Sequence, residues 1–358
     1  MIKIAPKFLV RFLMILFWLL VIIVYIYSPV IYDLIPRSSK SINLYCWVDM
    51  IDKDVVKEFE RTTGIDVNIS YYEHNYELIS KLEVTQGRDY DLIMATDFTI
   101  GYLIKLNLLQ PLQRQKLDFW LDLEPNILNR EFDRNNEYSI PYFWDLDVIG
   151  YNNKIYKDDL PTKSWALIFD KKYMPKHLGM VEEANEAFMI AAQYLFNSIQ
   201  DLSDAKLEEI KNLLKEQKDS VESYVDLRSG DLLISGAASA AVSQSAYICR
   251  AMEFSKNISL FVPSEGSFAF IDSLVIPKPS NNLEYTYKFL NFINKKESIE
   301  KVVDKFCYLP ARKDLLISRE YLLGTYKQIQ QYLKSAKLFS SDVPIKKINE
   351  LWMEVKAN

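Results

Sequence analysis

Residues 42–96, INLYCWVDMIDKDVVKEFERTTGIDVNISYYEHNYELISKLEVTQGRDYDLIMAT, decide the fold class. A short apolar run at 42–48 reads as a strand. Segment 52–64 then places Val55, Val56 and Phe59 on one helical face and closes with Gly64, the residue type that ends helices in the left-handed conformation. The cycle repeats: 66–72 reads as a strand, 75–87 as a helix again closed by glycine, and 89–96 as a third strand. Strand, helix, strand, helix, strand predicts an α/β fold on a parallel sheet, with ligand groups gathered at the carboxyl ends of the strands.

Outward from that core the alternation continues. A helix is expected at 101–107, a second apolar strand region with Pro141 at 138–152, and helices at 183–197 and near 204–217. Strand signals return at 257–263 and 267–277, followed by helices near 282–295 and 296–305 and a final helical stretch. No internal repeat or low-complexity tract interrupts this order. At 358 residues the chain suits two domains of ordinary size.

Composition excludes several chemistries. Only nine glycines are present and no GxGxxG or GxxxxGK[ST] string occurs, which argues against dinucleotide and P-loop enzymes. Two histidines, His74 and His177, and three cysteines, Cys46, Cys249 and Cys307, are scattered without metal-ligand or triad spacing. No metal, cofactor or catalytic residue is therefore expected. The first 40 residues hold five basic groups against Asp33 alone, so the remaining 318 carry 38 basic and 47 acidic groups, net −9. An acidic body makes nucleic acid a poor partner and suits a cationic ligand.

The run from Phe12 to Ile31 has 20 residues without a charge and follows Lys3, Lys7 and Arg11. That length matches a helix crossing a bilayer, and the basic flank places the body on the far side. The expectation is a signal anchor over residues 1–40, including a short linker, with everything after Asp33 across the membrane from the cytoplasm. A cleaved signal peptide is the alternative.

Within the body, Trp47 and Asp49 are two residues apart at the end of the first strand, which would put both on one face at the sheet's carboxyl edge. Taken singly, Trp47 reads as core and Asp49 as a helix cap. Glu183 and Glu186 share a helical face near the helix start, a pair suited to an ammonium group or, as plainly, to solvent. In FAFID, Asp272 shares a strand face with Phe270 inside an apolar run, where an unpaired charge is costly. Tyr308 alone reads as packing.

The strings LYCWVDM, FERTTGIDVNISYYEHNYEL, YDLIMATDF, YSIPYFWDLDVIGYN, SEGSFAFIDSLVIP and YLPAR, in this order and spacing, resemble the spermidine/putrescine-binding proteins of bacterial polyamine ABC transporters. The similarity runs from about Ile42 to Leu316. It implies a two-lobed, type II periplasmic-binding-protein fold, with lobe 1 at 41–145 plus 272–316 and lobe 2 at 146–271 plus 317–358. It also implies a non-enzymatic solute carrier that hands a polyamine to a membrane permease driven by an ATPase.

By the same resemblance, Asp49, Glu183, Glu186 and Asp272 are the acids that meet amines, and Trp47, Phe270 and Tyr308 are the aromatics that cover methylenes. The family pattern is altered elsewhere: Met50 and Val48 stand beside Asp49, and Ala95, Asp97 and Phe98 replace a serine and tyrosine. Val242, or Gln244 if the register slips, takes a tryptophan's place, and Ser340 corresponds to a glutamine. Asp97, Phe98, Gln244 and Ser340 are thus weaker binding candidates. Other readings are a binder or anchored sensor for another cationic solute, and a membrane-anchored glycosidase using Glu183 and Glu186. The last fits poorly, because two acids one turn apart on a helix do not face each other across a sugar.

Overall fold

The computed structural model describes residues 11, 13–20, 22, 40–156, 159–225, 228–315, 320–339 and 342–357. Among the described residues ten strands make one curled mixed sheet flanked by helices. In chain order the strands are β1 (Ser41–Trp47), β2 (Asp66–Tyr72), β3 (Leu92–Ala95), β4 (Ser139–Asn152), β5 (Leu178–Met180), β6 (Val221–Tyr224), β7 (Ala240–Gln244), β8 (Ile258–Phe261), β9 (Ala269–Val275) and β10 (Leu309–Pro310). The longer helices are α1 (Lys53–Thr63), α2 (Asn75–Thr85), α3 (Asp97–Lys105), α4 (Ala184–Phe196), α5 (Asp204–Lys218), α6 (Ser229–Ser235), α7 (Ser245–Phe254), α8 (Leu283–Ile293), α9 (Lys296–Phe306), α10 (Glu320–Leu333) and α11 (Ile345–Ala357).

The sheet runs β2-β1-β3-β9-β4-β7-β5-β6, with β8 and β10 also paired to β4. β1 is parallel to β2 and β3, as the opening alternation requires. The expectation of parallel sheets holds at the two ends only: β9 is antiparallel to β3 and β4, and β4 is antiparallel to β7, β8 and β10. The sequence signal for β4 and β9, a continuous apolar run, marks burial on both faces and carries no direction.

Local chemistry explains the boundaries. Asp52 caps α1 by accepting from the N–H groups of Asp54 at 2.9 Å and Val55 at 3.2 Å, while Gly64 ends the helix at φ 66°. α3 starts at Asp97, four residues before the expected 101, because Thr96 is extended and Asp97 already carries the first helical turn. In β4 the pairing with β9 shifts register between Pro141 and Phe143, so that Tyr142 is the extra residue, directly after a proline that has no N–H to give to the ladder.

The buried apolar side chains fall into separate clusters. One includes Leu44, Phe59, Phe289 and Ile299. Another joins Phe188, Ile190 and Ile210 to Trp352 and Val355 of α11. The described residues 13–20 are helical, and their apolar side chains are exposed. Among the described residues no helix is long and apolar enough to cross a membrane. Much of the segment expected to do so, 12–31, lies outside the described residues.

α6 and α7 pack closely at Gly230, where an added Cβ would lie 2.9 Å from Ala251 Cβ and 3.0 Å from the Tyr247 carbonyl oxygen. Neither neighbour is the far end of a flexible side chain. Gly230→Ala is therefore expected to cost about 1–3 kcal/mol through overpacking, read as a lower midpoint in urea denaturation. An unchanged midpoint would show that the two helices separate freely.

Candidate binding cavity

The ends of β1, β2, β3 and β7, the start of α4 and the middle of β9 surround a cavity of 450 Å³. The parallel ends contribute as an α/β sheet requires, since chain turning away at a strand's carboxyl end leaves a crevice. Trp47, the last residue of β1, lines it and lies tilted on Tyr72, with ring centroids 4.4 Å apart. The Trp47 Nε1–H is buried without a hydrogen-bond partner among the described residues. Tyr72 is held by donating its hydroxyl to the Met94 carbonyl at 2.7 Å.

Glu183 and Glu186 both line the cavity. Glu183 occupies the cap position of α4, yet its side chain caps nothing there. Oε1 instead accepts from the Asn75 N–H at 3.4 Å and lies 4.0 Å from His74 Nδ1, so α4 touches the β2–α2 loop. Glu186 is 7% exposed. On β9, Phe270 packs against Phe339 with centroids 4.8 Å apart, and Asp272, two residues along the same strand and on the same face, also reaches the cavity.

Asp272 is 5% exposed, and its Oδ1 has no hydrogen-bond partner among the described residues. Burial first, then the nearby Asp97 and Asp145 carboxyls, push its pKa up to about 8. Asp97 is raised to about 7, mainly by burial, although it accepts N–H groups from Phe98 and Ile271. Asp145 is raised to about 6 by burial, against hydrogen bonds from the Ser245 hydroxyl and the Ala246 and Leu146 N–H groups.

Of the principal residues expected from sequence, Trp47, Glu183, Glu186, Phe270 and Asp272 come together around one cavity, joined by Phe98 and Gln244 from the weaker set. Asp49 does not line it. β1 stops at Trp47, and Asp49 follows in an exposed turn at φ 67°, so the two-residue alternation that paired it with Trp47 no longer applies. Tyr308 is also absent from the lining. It is buried against Phe143 and Phe306 and shares a hydroxyl hydrogen bond with Tyr247, which does line the cavity. Asp97 sits behind the wall rather than in it, and Val242 is fully buried in β7. Ser340 lies outside the described residues.

The structure adds residues not singled out from sequence: Tyr72 at the end of β2, His74 and Asn75 just after it, Thr96 after β3, and Arg228, Tyr247 and Phe339. The β2 group follows the same rule that picked out Trp47, since Tyr72 ends a neighbouring parallel strand. Asp145 repeats the signal that identified Asp272, an acid inside an apolar strand. Arg228 and Phe339 carried no such signal, for their approach depends on long-range folding.

Comparison with known proteins places these features. Residues 54–321 match the bacterial extracellular solute-binding protein family. The spermidine/putrescine-binding periplasmic protein of Escherichia coli K12 is 28% identical over 282 residues, covering 77% of this chain and 80% of that protein. The putrescine-binding periplasmic protein PotF of the same organism is 26% identical over 349 residues, covering 89% and 92%. A solved structure of a Listeria monocytogenes protein assigned to a spermidine/putrescine ABC transporter superposes with a TM-score of 0.80 at 25% identity, covering 89% of this chain and 99% of that one.

A carboxyl whose pKa lies above that of the unfolded chain keeps its proton in the native state over a range where the unfolded state has lost it. Stability contributed by Asp272 therefore falls as pH rises from about 5 to about 8, by on the order of 1 kcal/mol per pH unit. Asp272→Asn removes that slope. Urea titrations should show the variant gaining on the parent protein as pH rises; a difference that stays constant across the range would contradict the buried, charge-averse setting of Asp272.

Proposed function

The chain belongs to the bacterial extracellular solute-binding proteins, a family of carriers rather than enzymes, and from that premise we propose that it binds a polyamine such as putrescine or spermidine for an ABC transporter. The observation that carries this reading is Asp272: a buried carboxyl oxygen without a hydrogen-bond partner among the described residues, in a cavity whose lining also holds Glu183, Glu186, Trp47 and Phe270. A polyamine is a row of ammonium groups separated by methylenes. Acids at intervals with apolar faces between them complement it, and the names of the relatives point the same way.

In this scheme Asp272 and Glu186 accept charge-assisted hydrogen bonds from ammonium groups, worth about 1.5–3 kcal/mol each. Trp47 and Phe270 cover methylenes at about 0.8 kcal/mol per buried CH2 and attract the flanking cations through their ring faces. Tyr308 acts through Tyr247, and Asp49 takes no part in ligand contact. The two lobes are 41–145 plus 272–316 and 146–271 plus 317–358, joined through β4 and β9. A ligand touching both Trp47 and Glu186 favours their approach, and the closed form is what a permease receives. Residues 12–31 anchor the carrier at the outer face of the inner membrane, a reading supported by the uncharged run and its basic flank.

The Arg228 side chain in the lining favours a second reading, an amine that also carries a carboxylate. Mass spectrometry of small molecules released from the purified protein separates the two. Calorimetry with putrescine and spermidine should show tight binding, and Asp272→Asn and Glu186→Gln should each weaken it at least about tenfold. Unchanged affinity in both variants would overturn the assignment.

A further inference from the structure

We propose that Asp97, Asp145 and Asp272 act together as a proton store behind the ligand site, so that an amine seated on Asp272 enters by driving a proton out to solvent. This rests on the amine reading of the cavity and adds a second cation to it. The three carboxyls come from three adjoining segments. Asp272 stands opposite Phe143 and Asp145 opposite Phe270 on the antiparallel β9–β4 pair, which makes the two acids diagonal neighbours on one face, with roughly 7–8 Å between their backbones. Asp97, at the junction of β3 and α3, accepts the N–H of Ile271, the residue beside Asp272.

All three are at least 95% buried. Asp97 Oδ2 and Asp272 Oδ1 have no hydrogen-bond partner among the described residues. At Asp97 the charge of Arg130 offsets part of the burial; at Asp272 no cation does so among the described residues. Burial opposes ionisation at each of the three, and Asp97 and Asp145 add their repulsion at Asp272, so the group keeps protons at pH values where exposed acids have lost them. The raised values at these residues, about 7, 6 and 8 in chain order, agree with the geometry.

The exchange balances simply. A primary amine, with a pKa near that of lysine at about 10.4, arrives already charged. The O–H bond of the protonated carboxyl breaks, its proton passes to water or buffer, and an N–H···O bond forms between the ammonium and the carboxylate. Other groups bear on Asp272: Tyr72 from β2, Tyr247 from α7 and Tyr308 beside β10. Glu73, His74, Glu182, Glu183, Glu186 and Arg228 share the cavity lining. The tyrosines stay neutral, their hydroxyls pushed up by burial.

Putrescine binding to the purified protein, followed by calorimetry near neutral pH in phosphate and in Tris, tests the coupling. The expected result is a heat that differs between buffers by an amount matching up to about one proton released per ligand. The Kd should also rise, approaching tenfold per unit, as pH is lowered from about 8 to about 6. Asp97→Asn should still bind putrescine and release measurably fewer protons, because one of the two carboxyls that oppose ionisation of Asp272 is gone while its burial remains. Release that survives His74→Gln belongs to the carboxylates, whereas release lost in His74→Gln and kept in Asp97→Asn overturns the proposal. Equal heats in both buffers with a flat Kd overturn it and leave the amine reading standing. Failure of both putrescine and spermidine to bind overturns both.

Discussion

Two antiparallel strands, β4 and β9, run through the middle of the sheet with almost every side chain buried, and the molecule is organised around the cost of placing charge there. β4 pairs along its first half with β9 and along its second with β7 and β8, so one 14-residue strand belongs to both halves of the sheet. Apolar residues fill most of both strands. Asp145, Asp147 and Asp272 are their only charged side chains, and an ionised carboxylate costs several kcal/mol in such surroundings unless it is paired or hydrogen-bonded. Asp145 meets this constraint with three donors from its own strand and the start of α7. Asp272 instead faces the cavity with an oxygen still available.

That contrast explains why the cavity opens beside the central strand pair. A central strand pair gives positions fixed by ladder hydrogen bonds, while the parallel strands beside it end in loops that can supply varied side chains. Trp47, Tyr72 and Phe98 come from such ends or just beyond them. The scarcity of histidine and the scattered cysteines accord with a family of carriers, in which no group has to be a nucleophile or a base. All three cysteines are buried, and burial pushes each thiol well above its ordinary range.

Much of this was legible in the sequence, and the residues show why. The opening βαβαβ unit could be read because its helices have caps of known chemistry, Asp52 and Gly64, and its strands are separated by them. Asp272 could be read because an acid in an apolar strand is expensive and so implies a purpose. Asp49 could not be placed: its pairing with Trp47 assumed one more turn of strand alternation, and the chain left the strand at Trp47. Tyr308 packs in this neighbourhood, yet whether it lines the cavity depends on Tyr247, sixty-one positions earlier, which stands in the lining instead. The direction of β9 and the arrival of Phe339 depend on long-range folding that periodicity does not encode.

The register break between Pro141 and Phe143 has a consequence for how this chain can change its length. Side chains on a strand alternate faces, so slipping β4 against β9 by one residue would turn Phe270 and Asp272 from the cavity to the opposite face. The proline and its bulge admit a single alignment and so hold Asp272 opposite Phe143. Insertions in the loops around the cavity alter its walls by degrees. An insertion or deletion of one residue within β4 or β9 inverts the site, so these two strands can drift in composition far more readily than in length.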